Sequence, residues 1–287
     1  MAQKEEKTFI ESIVETIKTV FYALLIAGVF RTLFFQPFWI PTGSMKDTLL
    51  IGDFLFVNKM AYGYSYASCP KIQIPRLGLN IDADDFCGFI KGRDSRILGG
   101  EPQQGDVVVF RHPVEGTDFI KRLIGLPGDK VQVVDGVLHL NGVAVKVEPA
   151  GDFVEEFQRQ GPQGVTPACR EGAVGWGGQC TKTRYMETLP NGVRHSILDT
   201  VDQANDDFPW DLDNTNVFTV PDGHFFFMGD NRDNSSDSRV PRVQGGIRFV
   251  PLDDIVGRAD RVVFSSAGRW MLAFWTWRGD RFFKAIE

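Results

Sequence analysis

A mainly β fold, tethered by one N-terminal transmembrane helix and interrupted by two irregular excursions, is predicted by three features of the 287-residue sequence. One apolar stretch near the front is long enough to cross a bilayer. Behind it, short β-branched and aromatic runs alternate with turn residues, the pattern of a coiled antiparallel sheet. Two Gly-rich, polar stretches interrupt those runs, and each holds two of the 4 cysteines.

Composition narrows the class. With 43% hydrophobic and 24% charged residues the chain is neither disordered nor collagenous. A net charge of -6 argues against a surface of clustered Lys and Arg, so nucleic acid is not an expected partner.

The apolar stretch runs from Thr19 to Ile40, TVFYALLIAGVFRTLFFQPFWI. At about 1.5 Å per residue such a helix roughly matches a bilayer core. Arg31 lies near its far end and can reach the headgroups, while Pro37 and Pro41 predict where the helix stops. A removed secretory leader is not expected, because the RTLFFQPFWIPTGS that follows Phe30 lacks an A-x-A-like site. Lys4, Lys7 and Lys18 predict that residues 1–18 are cytoplasmic and that the rest lies outside.

Residues 41–147 and 215–287 form the expected β-domain. Its strands are read from DFLFV, DVVVF, KVQVV, VLHL and VAVKV, then from NVFTV, HFFFMGD and DIVGRADRVVFS. Asp135-Gly136 and Asn141-Gly142 separate three of these runs and favour type I′ turns, which predicts a meander. Residues 62–104 and 148–214 are read as irregular excursions from that domain.

No C-x-x-C or zinc-finger spacing occurs, and neither a metal nor a cofactor is expected. Cys69/Cys87 and Cys169/Cys180 are the simplest of the three pairings that four cysteines allow, and bridges suit a chain outside the cytosol. The C-terminal WMLAFWTWRGDRFF holds Trp270, Trp275 and Trp277, rings that either rest on lipid headgroups or complete the core.

Chemistry is sought first at Ser44, in the turn PTGSMKDTLLIGD directly after the apolar stretch. A nucleophilic serine needs a base. None of the four histidines, His112, His139, His195 and His224, stands in a G-x-S-x-G or comparable triad context. A lysine can replace histidine where burial removes its proton. Lys121 in DFIKRLIGLPGD has Phe119, Ile120, Leu123 and Ile124 around it. The third cluster, MGDNRDNSSDSR from Met228 to Arg239, is a polar loop that departs from a calcium loop by placing Arg232 at a ligand position.

Taken in this order, the three clusters resemble the bacterial type I signal peptidases, membrane-bound serine proteases that remove signal peptides from exported proteins. PTGSM with TLLIGD resembles the nucleophile box, GDVVVFRHP with FIKRLIGLPGD the general-base box, and GDNRDNSSDSR the third box. The resemblance covers roughly Phe35 to Tyr62, Gly105 to Asn141 and Val217 to Asp260, and is silent on both irregular stretches.

The resemblance implies Ser44 as nucleophile and Lys121 as its neutral base, with the Ser44 N–H and the Thr42 hydroxyl as oxyanion hole. It further implies that Ser235 orients the Lys121 amine and that Asp237 and Arg239 hold the loop as an ion pair. Met45 and the strand after it would line a cleft for an extended peptide with small residues at -1 and -3. The resemblance also implies that the two irregular stretches are insertions, 148–214 being a smaller inserted subdomain, and the implied partners are exported preproteins and membrane lipid. The implied location is the bacterial cytoplasmic membrane, single-pass, with the catalytic domain on the outer side. One departure stands out: Lys46-Asp47 occupies the place where relatives commonly show a residue followed by Pro. Self-cleaving Ser/Lys repressors with a similar β-fold are the alternative enzyme, but they are soluble and carry a DNA-binding domain. A tethered β-domain that only binds partners would have no use for both Ser44 and Lys121.

Overall fold

The computed structural model describes residues 9–69, 72–74, 79–81, 88, 96, 99–161, 164–172, 174–199, 211–268 and 273–286. One helix, α1, spans Phe9–Leu33. Within it Ile10–Phe30 has a mean hydropathy of 1.8, long and apolar enough to cross a membrane. None of that window is covered by protein, and Phe21, Leu24 and Ile26 stand exposed.

This corrects the expected Thr19–Ile40 helix at both ends. The helix begins earlier, taking in Glu11, Glu15 and Lys18, and it stops at Leu33, so the last part of the apolar run is a strand. Pro37 is the cause, since it has no N–H to donate and pushes Gln36 toward extended backbone. The strand lies at a sheet edge, where a missing donor leaves no ladder bond broken.

The strands in chain order are β1 Phe35–Trp39, β2 Asp53–Asn58, β3 Ile72–Ile74, β4 Leu79–Ile81, β5 Val107–Arg111, β6 Asp118–Gly125, β7 Lys130–Val134 and β8 Val137–Leu140. They continue with β9 Val143–Ala144, β10 Lys146–Glu156, β11 Gln179–Thr188, β12 Arg194–Leu198, β13 Phe218–Thr219, β14 His224–Met228, β15 Phe249–Pro251 and β16 Ile255–Ser265. Seven of them form one antiparallel sheet in the order β1-β2-β16-β5-β6-β14-β15. Register shifts at Ala259/Arg261, Val262/Phe264 and Phe226/Phe227 add local twist and coil it. The mainly β reading therefore stands.

β5 is buried on both faces. Val107 and Val109 join one apolar cluster with Ile40, Met45 and Leu55, while Val108 and Phe110 join another with Leu123 and Phe227. The meander β7-β8-β9 forms as expected, in a separate sheet with β13. Asp135 and Gly136 have φ of 48° and 74°, and Asn141 and Gly142 have 53° and 82°, the positive pairs a type I′ turn requires.

The stretch 148–214 is less irregular than its composition suggests. β10, β11 and β12 form a three-stranded sheet, with a bulge between Pro149 and Asp152. β10 is half-covered or exposed along its whole length, so it lacks the one-sided apolar alternation by which strands are recognised. A Cys169–Cys180 disulfide staples the loop before β11. Cys69 is also disulfide-bonded, while its expected partner Cys87 lies outside the described residues, as does Trp270. In the C-terminal segment Phe274 and Trp275 are exposed, while Trp277 packs edge-on against Phe264.

Candidate active site

β1 delivers the chain through Pro41 and Thr42 into a tight turn that starts at Gly43. The Lys46 N–H donates to the Gly43 carbonyl at 3.1 Å, and the Leu49 N–H to that of Met45 at 2.8 Å. Asn231 closes the turn from the other side: its side chain donates to the Gly43 carbonyl at 2.9 Å and its N–H to the Ser44 carbonyl at 3.0 Å. Ser44 is thus fixed by both halves of a backbone clamp before any chemistry is considered.

Lys121 lies in the middle of β6, in register with Val108 of β5, and reaches this turn. Its Nζ is 2.7 Å from Ser44 Oγ and 3.2 Å from the Ile120 carbonyl. Both side chains are buried, Lys121 at 4% exposure and Ser44 at 8%. Burial brings the Lys121 ammonium down to about 8, against the opposing pull of Asp237 and Asp230. An amine near that value holds a usable lone pair close to neutral pH, and 2.7 Å suits proton transfer from a hydroxyl.

The dyad sits at one end of an open cleft of about 200 Å³, with Phe38 to Thr42 on one side and Asp118 to Lys121 on the other. Thr42 is exposed and lines it. Among the described residues neither its hydroxyl nor the Ser44 N–H is taken up by another group. Met45 does not line the cleft, contrary to expectation; it is fully buried in the apolar cluster with Leu49 and Leu55. The tight turn at Ser44 sends the next side chain inward, so the wall is built from residues before the serine.

Met228 to Arg239 packs behind the dyad. Asp237 and Arg239 form the expected pair, with Arg239 Nε and Nη2 at 3.0 and 2.9 Å from the two carboxylate oxygens. Burial pushes the Asp237 carboxyl up, and the Arg239 guanidinium with two backbone N–H donors more than offsets it, leaving it ionised. Ser235 is fully buried, and its hydroxyl has no hydrogen-bond partner among the described residues, so the implied bond to Lys121 is not formed. It is nevertheless beside the dyad. A Cβ on Gly229 would come within 2.3 Å of Ser235 Oγ and 2.6 Å of the Ser44 carbonyl, so both press on the same glycine.

Two buried ion pairs escaped the sequence reading. Arg122, next to Lys121, donates to both Asp230 oxygens at 2.8 Å, and Thr48 also donates to Asp230. Arg232 donates to Glu187 at 2.9 and 2.6 Å, with His195 Nε2 at 3.1 Å from the same carboxylate. Arg122 had a signal: a second cation in a buried apolar strand demands a buried carboxylate. Glu187 and His195 had none, because β11 and β12 fall where the resemblance is silent. Asp199, Asp213 and Asp233 bring one carboxylate oxygen each within 4.8 Å of one another, a grouping that sequence spacing did not suggest. His224 begins β14, at the far end of that strand from the Gly229 loop, and its ring bonds the Asp222 carbonyl.

Residues 13–264 match the family described as signal peptidase, peptidase S26. The chain is 35% identical over 267 residues to the signal peptidase I of Rickettsia typhi, covering 89% of this chain and 83% of that one. It is 36% identical over 262 residues to that of Rickettsia prowazekii, again over 89% and 83%. A solved signal peptidase I from Enterococcus faecalis shows 25% identity and a TM-score of 0.29 over 55% of this chain and 97% of its own. A match that spans most of the chain, together with relatives above one-third identity along nearly their whole length, means that the chain belongs to the signal peptidase family, peptidase S26.

Proposed function

We propose that this member of the family removes N-terminal signal peptides from exported preproteins, with Ser44 as nucleophile and Lys121 as general base. The observation that carries the reading is the 2.7 Å contact between a buried lysine amine and a buried serine hydroxyl at the end of an open cleft. The substrate lies extended between Phe38–Thr42 and Asp118–Lys121, its scissile carbonyl over Ser44. Neutral Lys121 takes the hydroxyl proton as Oγ attacks. The oxyanion that forms is met by the Ser44 N–H and the Thr42 hydroxyl. Lys121, now an ammonium, returns the proton to the departing amine, and a water activated by the same amine then hydrolyses the acyl-enzyme. Asp237, Arg239 and Ser235 hold the wall behind Lys121. Apolar side chains such as Ile40, Val109 and Phe119 narrow the cleft, which suits small residues at -1 and -3.

In this reading α1 crosses the bacterial cytoplasmic membrane with its N-terminus inside, and β1 starts the catalytic sheet at the outer surface. Exposed Phe274 and Trp275 rest among lipid headgroups. The test is cleavage of a purified preprotein by the full chain in detergent, beside the Ser44→Ala chain. A mature product from the first and none from the second is expected; equal cleavage by both would remove Ser44 from the reaction.

A further inference from the structure

Lys46, two residues after Ser44, is almost wholly buried, and its amine is surrounded by acceptors from the inserted sheet. Nζ lies 2.6 and 2.9 Å from the two Glu155 oxygens on β10, and 2.9 Å from Gln160 Oε1 just beyond that strand. An ammonium has three donors, and all three are occupied. Gln160 in turn donates to Glu155 at 2.7 Å, and the Lys182 amine of β11 is 3.2 Å from the same carboxylate. The aliphatic stem of Lys46 lies against Gly43, where a Cβ would come to 3.3 Å of Lys46 Cε. The next residue repeats the link, since Asp47 pairs with Arg184 of β11 at 3.1 Å.

We propose that Lys46 is a positioning residue for Ser44, and that through Glu155 and Gln160 the inserted β10–β11 sheet is part of the catalytic apparatus. The inference rests on the reading of Ser44 as nucleophile. On one side the turn is held by Asn231, bonded to the Gly43 and Ser44 carbonyls, and by Asp230, bonded to Thr48. On the other side the Lys46 amine is held, among the described residues, by Glu155 of β10 and by Gln160 beyond it. Lys46 does not serve as a second base, because its donors point to Glu155 and Gln160. Its effect passes through the geometry of the turn, where a shift of about 1 Å can cost 10²-fold in rate.

The test is steady-state preprotein cleavage by the full chain, with rates referred to the folded fraction from near-UV circular dichroism. Lys46→Met is the informative variant, because the Glu155–Lys182 pair survives it and no charge is left buried alone. The expected result is a fall in kcat of at least tenfold with KM within twofold and little change in melting temperature. Lys46→Arg, which keeps the charge and the donors, should recover most of the loss. A kcat within twofold of the parent, or a loss that merely follows the folded fraction, overturns the proposal. If Lys46→Met does not accumulate as folded protein, Gln160→Ala removes one acceptor and no charge. There a threefold or greater fall in kcat is expected, and an unchanged kcat overturns the proposal. Parent chain that fails to cleave preprotein would instead refute the reading of Ser44 and Lys121 on which this inference stands.

Discussion

Lys121 and Lys46 are both buried beside the Ser44 turn, and burial brings both ammonium groups down to about 8. Their surroundings then part company. Lys121 has a hydroxyl as its close side-chain partner, and the carboxylates of Asp237 and Asp230 act on it only through space. Lys46 touches a carboxylate directly, while Lys182 and Arg278 oppose its charge. One lysine is placed to give up its proton to solvent and take another from Ser44; the other has every donor engaged. Burial makes a lysine easier to deprotonate, but the first atom it meets decides whether that is useful chemistry or structure.

The largest test of this contrast is replacement of Lys121 itself. Lys121→Met and Lys121→Arg should each reduce preprotein cleavage to background while leaving the fold largely intact, as judged by circular dichroism. Arginine is the sharper of the two, because it keeps the cation and cannot lose its proton. Substantial activity in Lys121→Arg would mean that position 121 works through its charge, and another base would have to be sought. Lys46→Arg provides the opposite control, since a residue that acts through charge and hydrogen bonds should tolerate arginine.

A smaller loss is expected on the substrate side of Ser44. Thr42→Ala removes one of the two proposed oxyanion donors and should lower kcat by about 10² to 10³ with little effect on melting temperature. Thr42→Ser, which keeps the hydroxyl, should stay close to the parent. If alanine and serine behave alike, the exposed Thr42 hydroxyl does not meet the oxyanion, and the Ser44 N–H needs a different companion.

How much of this was legible depended on how local each signal was. Asn141-Gly142 declares its turn in two residues, and the polar loop from Met228 to Arg239 declares itself in twelve. Residue chemistry alone made Ser44 and Lys121 no more than candidates; the resemblance of the three clusters, taken in order, to the signal peptidases is what singles them out. Phe35–Trp39 was not readable as a strand, because its apolar residues continue those of α1 and hydropathy does not separate a lipid-facing helix from a sheet edge; only Pro37 marks the change. The resemblance implies Met45 as part of the cleft wall, but sequence does not show that the turn at Ser44 sends this side chain into the core. Nothing near Lys46 in the sequence announces its partner, since the carboxylate that buries it lies 109 residues away in a strand with no clear alternation.

The finest test uses pH, because both lysines have been brought to about 8 and either could in principle shape the profile. With Lys121 as the proposed base, cleavage needs its neutral amine, so the active fraction should grow as pH rises through its value in the folded enzyme. kcat/KM should therefore climb about tenfold per unit below roughly pH 7 and level off above roughly pH 9. In Lys46→Met the absolute rate is lower, but the inflection should stay within about 0.3 unit of the parent, because the groups acting on the Lys121 amine are its own burial, Asp237 and Asp230. If the inflection disappears with Lys46, that lysine is the titrating group seen in catalysis, and the division of roles between the two amines must be reversed. If the inflection persists but lies near 6.5, the range of an ordinary imidazole, a histidine rather than either lysine controls the step.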